Sequence, residues 1–190
     1  MEQDLLAKIT ALAKRRGILY PNSEIYGGIG GFFDYGPVGV EMKNNLKRMW
    51  WKNIVDDRDN VVGIDGTIIS HPKVWEASGH VQNFQDEMVE CKKCHKRFRQ
   101  DLLEDKSKCP ECGGELTEPR KYNLLFHTQI GVLEGDKVDA YLRGEACQNI
   151  YLNFKNVVDS TRQQIPFGIA QIGKAFRNEV TPGKLFYRAR

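Results

Sequence analysis

Two cysteine pairs constrain this chain more than any other feature: Cys91-Lys92-Lys93-Cys94 and, after a spacer of fourteen residues, Cys109-Pro110-Glu111-Cys112, followed by Gly113 and Gly114. Two residues between thiols let both sulfurs of a turn face one tetrahedral ion, and the glycines let the second turn present backbone N–H groups to sulfur. Five cysteines, four of them paired in this way, fit metal binding in a reducing compartment better than a disulfide framework. Disulfides or free thiols are the competing readings, and His95 is a weaker substitute for one thiol. Cys147 stands apart. Four thiolates close the shell of the ion, so zinc on Cys91, Cys94, Cys109 and Cys112 is expected to be structural. Its binding energy, about 10–16 kcal/mol in small zinc modules, is comparable with a whole domain's stability. A segment poor in large apolar side chains can therefore stay folded. Residues 87–120 are such a segment, and they read as a zinc-ribbon insert between 1–86 and 121–190.

Other features exclude whole classes of function. No apolar run approaches a membrane span, and Met1-Glu2-Gln3-Asp4 lacks the basic-then-apolar layout of a secretory signal. A cytoplasmic protein with no membrane partner is expected. Lys and Arg number 28 against 25 Asp and Glu. Four thiolates and one zinc ion would shrink that surplus, so any RNA contact must come from local patches. Lys92, Lys93, Lys96, Arg97 and Arg99, with Phe98 among them, form one such patch. A solvated face is its common meaning and contact with RNA phosphates its sharper one.

Leu5, Ile9 and Leu12, backed by Leu6 and Ala13, recur at helical spacing and stop before Gly17. The glycine-rich stretch from Tyr26 to Gly36 lacks the Lys-Ser/Thr pair of a phosphate loop and the spacing of a dinucleotide fingerprint, and reads as a structural turn. Pro37 opens a long helix with Met42, Leu46, Met49, Trp50 and Ile54 on one face, and a core helix feeding a sheet is its plain reading. A strand is expected from Val61 to Pro72, further strands at Phe126–Ile130 and Ala140–Leu142, and a helix from Ala146 to Val158. The last third, Pro166 to Arg190, reads as two strands joined by the turn Thr181-Pro182-Gly183-Lys184.

In Phe176-Arg177-Asn178-Glu179, the Arg and the Glu are two apart and share a face if the segment is a strand. A guanidinium can neutralise a phosphate bidentately, and a carboxylate can accept a hydrogen bond from an adenine amino group. Arg188 and Arg190 share a face in the same way. An exposed, ion-paired hairpin is the plainer alternative.

The run from Phe167 to Pro182 is similar, almost residue for residue, to the second class-defining motif of glycyl-tRNA synthetases, and Tyr187-Arg188-Ala189-Arg190 resembles its returning strand. Residues 38–54 and 61–72 resemble the first motif, which builds the dimer interface in class II synthetases. Ser23 to Gly28, Trp75 to Val81, and Arg97-Phe98-Arg99 before Asp101 resemble further family stretches. The resemblance covers nearly the whole chain.

It implies an α+β fold: part of the class II antiparallel sheet with flanking helices, carrying the ribbon as an insert. It also implies a ligase that joins glycine and ATP into glycyl-adenylate, then passes the glycyl group to tRNA(Gly), with magnesium accompanying the ATP. Carried over by position, Arg177 holds the α-phosphate and Glu179 the adenine, with Asn178, Tyr187, Arg188, Ala189 and Arg190 as further nucleotide contacts. Arg99 and Glu145 match glycine-binding positions, and a carboxylate is the natural partner of an ammonium group. Selection of glycine can be steric, since a pocket too small for a Cβ rejects alanine by clash. Gly144 stands where the family usually carries proline. The family continues past the equivalent of Arg190 with the rest of the sheet, a third motif and an anticodon-binding domain. Residues 1–190 alone are therefore expected to be inactive. A half-enzyme completed by a partner chain and a non-catalytic, RNA-binding zinc ribbon are the alternatives.

Overall fold

The computed structural model describes residues 2–179 and Ala189. Along the chain these form α1 (Glu2–Arg15), β1 (Leu19–Pro21), β2 (Phe33–Tyr35), α2 (Pro37–Trp51), β3 (Val61–Gly63), β4 (Ile69–Ser70), α3 (Pro72–Ala77) and α4 (His80–Asn83). There follow β5 (Gln85–Glu90), β6 (Arg97–Arg99), β7 (Arg120–Asn123), β8 (His127–Ile130), β9 (Val138–Leu142), α5 (Gln148–Thr161) and β10 (Gly168–Ala170). They divide into two compact units, one made of residues 2–67 and 145–174 with Ala189, the other of 68–144 and 175–179.

In the first unit, α1 ends where periodicity predicted, and Ala13 and Leu19 are buried at the helix–strand junction. β1 pairs antiparallel with β2, Leu19 opposite Tyr35 and Pro21 opposite Phe33, so the glycine-rich stretch is the connection of a small hairpin. The start of α2 packs backbone to backbone on the turn before β1: a Cβ on Gly39 would lie 1.9 Å from the Ile18 carbonyl oxygen. Pro37 occupies the first turn of α2, where its missing N–H costs no hydrogen bond. The helix runs on into a π-helical turn over Lys52–Asp56. β3 then pairs in parallel with β10, Val62 opposite Ile169, and Phe154 of α5 stacks on Phe167 at 5.5 Å.

The second unit holds two antiparallel sheets, ordered β4-β9-β8 and β6-β5-β7. Trp75 of α3 is fully buried, with Leu124, Leu125 and Ala140 also in the core. Between residues 87 and 120, Val89, Cys91, Cys109 and Leu116 form a small buried cluster against which Phe98 and Leu103 pack.

Among the described residues the fold is therefore mixed, with helices and mainly antiparallel pairing. Three local expectations change. The strand expected from Val61 to Pro72 divides into β3 and β4, because Gly66 turns out of the ladder and its N–H donates to the Gln171 side chain at 3.2 Å. Of the two strands expected after Pro166, β10 forms, whereas 171–179 has no strand; the turn at 181–184 lies outside the described residues. The apolar row of α2 is not core, since Met42, Leu46 and Met49 are 59%, 62% and 58% exposed.

Candidate functional site

The cysteine cluster is built from two turns. Between β5 and β6, the Lys93 and Cys94 N–H groups each donate to Cys91 Sγ at 3.4 Å. In the second turn Gly113 adopts φ +66°, and a Cβ on Gly114 would press on Lys93 Cβ at 2.8 Å and on Cys91 Sγ at 3.0 Å. Only glycine lets this backbone close on the sulfurs. The four Sγ atoms lie within 4.8 Å of one another, with Cys91–Cys112 at 3.5 Å and Cys94–Cys109 at 3.7 Å. Zn–S bonds of about 2.3 Å place the sulfurs of a tetrahedron about 3.8 Å apart, so these residues can hold such an ion.

Charge makes the same point. The Cys94 N–H, helped by that of Lys93, holds the Cys91 thiol down at about 6. The Lys96 N–H also favours a thiolate at Cys94, but desolvation and the Cys91, Cys112 and Cys109 sulfurs outweigh it and push Cys94 up to about 12. The first thiolate resists the others, and four together need a cation between them.

The basic patch is not a free field of positive charge. Lys92 pairs with Glu115, Lys96 with Glu111, and Arg97 with Glu90 at 2.9 Å. Arg99 grips Asp101 bidentately, at 3.0 and 2.7 Å, and lies 3.4 Å from Asp86. The Asp101 hydrogen bond, followed by the charges of Asp86, Asp101 and Glu179, raises Arg99 above its ordinary value.

Of the residues assigned to nucleotide and glycine, Arg99, Arg177, Asn178 and Glu179 fall in the second unit and Glu145 in the first. The segment around Arg177 is pinned on both sides: Phe176 N–H donates to the Arg143 carbonyl and Asn178 N–H to the Leu124 carbonyl, each at 2.8 Å. Arg177 is exposed, its Nε donates to the Gly144 carbonyl at 3.3 Å, and its guanidinium lies over the Phe84 ring, 4.9 Å from the centroid. Asn178 Nδ2 donates to the Tyr122 hydroxyl. Glu179 N–H donates to the Arg177 carbonyl at 2.7 Å, a three-residue turn and not a strand, so strand alternation is not what orders these side chains. Glu145 accepts from Gln148 Nε2 at 3.2 Å, and Cys147 Sγ lies 3.5 Å away. Burial, and then Glu145, push the Cys147 thiol up. Ala189 is exposed, and Tyr187, Arg188 and Arg190 lie outside the described residues.

Sequence reasoning missed Phe84, Asp86 and Tyr122. Only Phe84 carried a local signal, its spacing of four from His80 within a helical turn.

No protein-family model matches the chain. Curated proteins named glycine–tRNA ligase do. That of Treponema denticola is 54% identical over 187 residues, covering 96% of this chain and 42% of the relative. That of Borreliella burgdorferi is 50% identical over 182 residues, 95% of this chain and 41% of the relative. That of Thermobifida fusca is 47% identical over 206 aligned positions, 100% of this chain and 45% of the relative. Over nearly its whole length the chain is homologous to these ligases, and it spans under half of theirs.

Proposed function

We propose that this chain is the leading part of the catalytic domain of a glycine–tRNA ligase of class II, with residues 87–120 as a zinc-ribbon insert between 1–86 and 121–190. The carrying observation is identity of 47–54% with ligases of that name across at least 95% of the chain. The pinned, outward Arg177 supports it.

In this reading ATP lies against the segment that begins at Phe176. Arg177 meets the α-phosphate, Glu179 accepts from the adenine amino group, and Asn178, Tyr187, Arg188, Ala189 and Arg190 complete the nucleotide contacts. Glu145 receives the ammonium of glycine. Arg99 meets the glycine carboxylate by exchanging one of its present carboxylate partners. A glycine carboxylate oxygen attacks the α-phosphorus, the bond to the bridging oxygen breaks, and pyrophosphate leaves. A ribose hydroxyl of the terminal adenosine of tRNA(Gly) then attacks the glycyl carbonyl and AMP leaves. Arg177 favours the first step by facing charge that grows on the α-phosphate as the new bond forms. Magnesium bound with the ATP neutralises the remaining phosphate charge.

Zinc on Cys91, Cys94, Cys109 and Cys112 is structural here, because the sulfurs close the shell. The exposed row Val38, Met42, Leu46 and Met49 on α2 supports a homodimer, since an apolar helix face of that length calls for a cover. Among the described residues no helix is long and apolar enough to cross a membrane. The non-catalytic RNA-binding reading is weaker, because four of the five basic side chains it relies on already face carboxylates.

Glycine-dependent exchange between ATP and pyrophosphate tests the proposal. The full-length protein is expected to catalyse it and residues 1–190 alone to show little or none. No exchange by the full-length protein overturns the reading. Exchange that appears only when a second, different polypeptide is added favours the half-enzyme.

A further inference from the structure

Arg177 does not stand alone. Its guanidinium covers the ring of Phe84, 4.9 Å from the centroid, and its Nε edge is tied to the Gly144 carbonyl at 3.3 Å. The ring beneath it is itself backed: His80 lies 5.1 Å from Phe84, inclined by 56°, and Trp75 meets His80 edge-on at 5.2 Å. Trp75 is completely buried, so this aromatic ladder runs from the core of the second unit to an exposed cation. The backbone repeats the link, because the Phe84 carbonyl accepts from Leu124 N–H at 3.0 Å and the Leu124 carbonyl from Asn178 N–H at 2.8 Å.

A long arginine side chain at a surface loses rotamer freedom when it meets an anion, and that loss weakens the contact. A ring face under the guanidinium and an acceptor at Nε restrict the fork in advance, so less freedom is left to lose on binding. The ring quadrupole also favours the cation itself.

We propose that Phe84 is a positioning residue for phosphate recognition by Arg177, with His80 and Trp75 as its backing. This deepens the ligase reading and rests on it. Phe84 touches no reacting atom; it acts through the electron density of its ring face. The electronic part of that role can be separated from packing, because fluorine atoms drain the ring quadrupole while changing the size of the ring very little.

The test places 4-fluoro-, 3,5-difluoro- and 3,4,5-trifluorophenylalanine at position 84 of the full-length protein and follows glycine-dependent ATP–pyrophosphate exchange, with thermal melting and zinc content measured alongside. The expected result is a stepwise fall in kcat/KM for ATP, reaching about threefold to tenfold at three fluorines, with melting temperature and zinc content unchanged. Phe84→Leu should lose at least as much and Phe84→Tyr should restore most of the activity. Equal kcat/KM across the fluorinated series, with exchange otherwise intact, overturns the positioning role and leaves the ligase reading standing. Absence of exchange in the unmodified full-length protein overturns both.

Discussion

The benzo edge of the Trp51 indole abuts the backbone of Gly63: a Cβ at residue 63 would sit 2.3 Å from both Cη2 and Cζ2 of the ring. The last residue of α2 thus reaches the strand that pairs with β10, and nothing larger than hydrogen fits between them. Gly63→Ala must displace a bulky, rigid ring and is expected to cost about 1–3 kcal/mol, read as a lower denaturant midpoint with an unchanged slope. Gly30→Ala, where a Cβ would meet nothing within 4 Å, is the control and should change the midpoint little.

Glu145→Gln keeps the hydrogen bond from Gln148 within reach but removes the charge that would face an ammonium. In the full-length protein kcat/KM for glycine should fall about tenfold to a hundredfold, with zinc content unaffected. Unchanged glycine kinetics would remove Glu145 from the site.

Arg177→Ala deletes the cation that, in the proposed reading, would face the α-phosphate, and is expected to slow adenylate formation about a hundredfold to a thousandfold in single-turnover measurements. Arg177→Lys should recover only part of this, because an ammonium lacks the planar, delocalised fork that a guanidinium presents. An intact rate in the alanine variant would refute the role.

Removing metal with a chelator, or making Cys109→Ser, should unfold the ribbon locally, because its buried cluster is Val89, Leu116 and the cysteines themselves. Amide exchange should become fast in β5 and β6 and stay slow in α2. Persistent protection of β6 without metal would show that the ribbon holds without it.

The Arg99 hydrogen bond, and less so the Arg99 and Lys106 charges, hold the Asp101 carboxyl below its ordinary value. A depressed carboxylate stabilises the fold above its unfolded value of about 3.9, and that contribution fades as pH falls through the lower folded value. In Arg99→Gln the Asp101 titration, followed by carboxyl NMR shifts, should move up toward about 3.9. An unmoved midpoint would show that the pair does not exist in solution.

Local features were legible in the sequence by itself. The cysteine turns follow from spacing within a few residues, α1, α2 and α5 from periodicity, and the likeness to glycine–tRNA ligases from contiguous motifs, because each depends on neighbours along the chain. Tertiary structure alone decided the rest. The row Met42, Leu46 and Met49 looks like core in a helical projection, yet whether a face is covered depends on what packs there, and among the described residues this one stays exposed. Lys92, Lys96, Arg97 and Arg99 look like an anion-binding run, but folding brings Glu115, Glu111, Glu90 and Asp86 to them. Strand alternation would put Arg177 and Glu179 on one face; instead, a turn and the ring of Phe84, far away along the chain, set the local geometry. Side-chain pairing across long separations is fixed by how segments pack, and that leaves no periodic trace in the residues themselves.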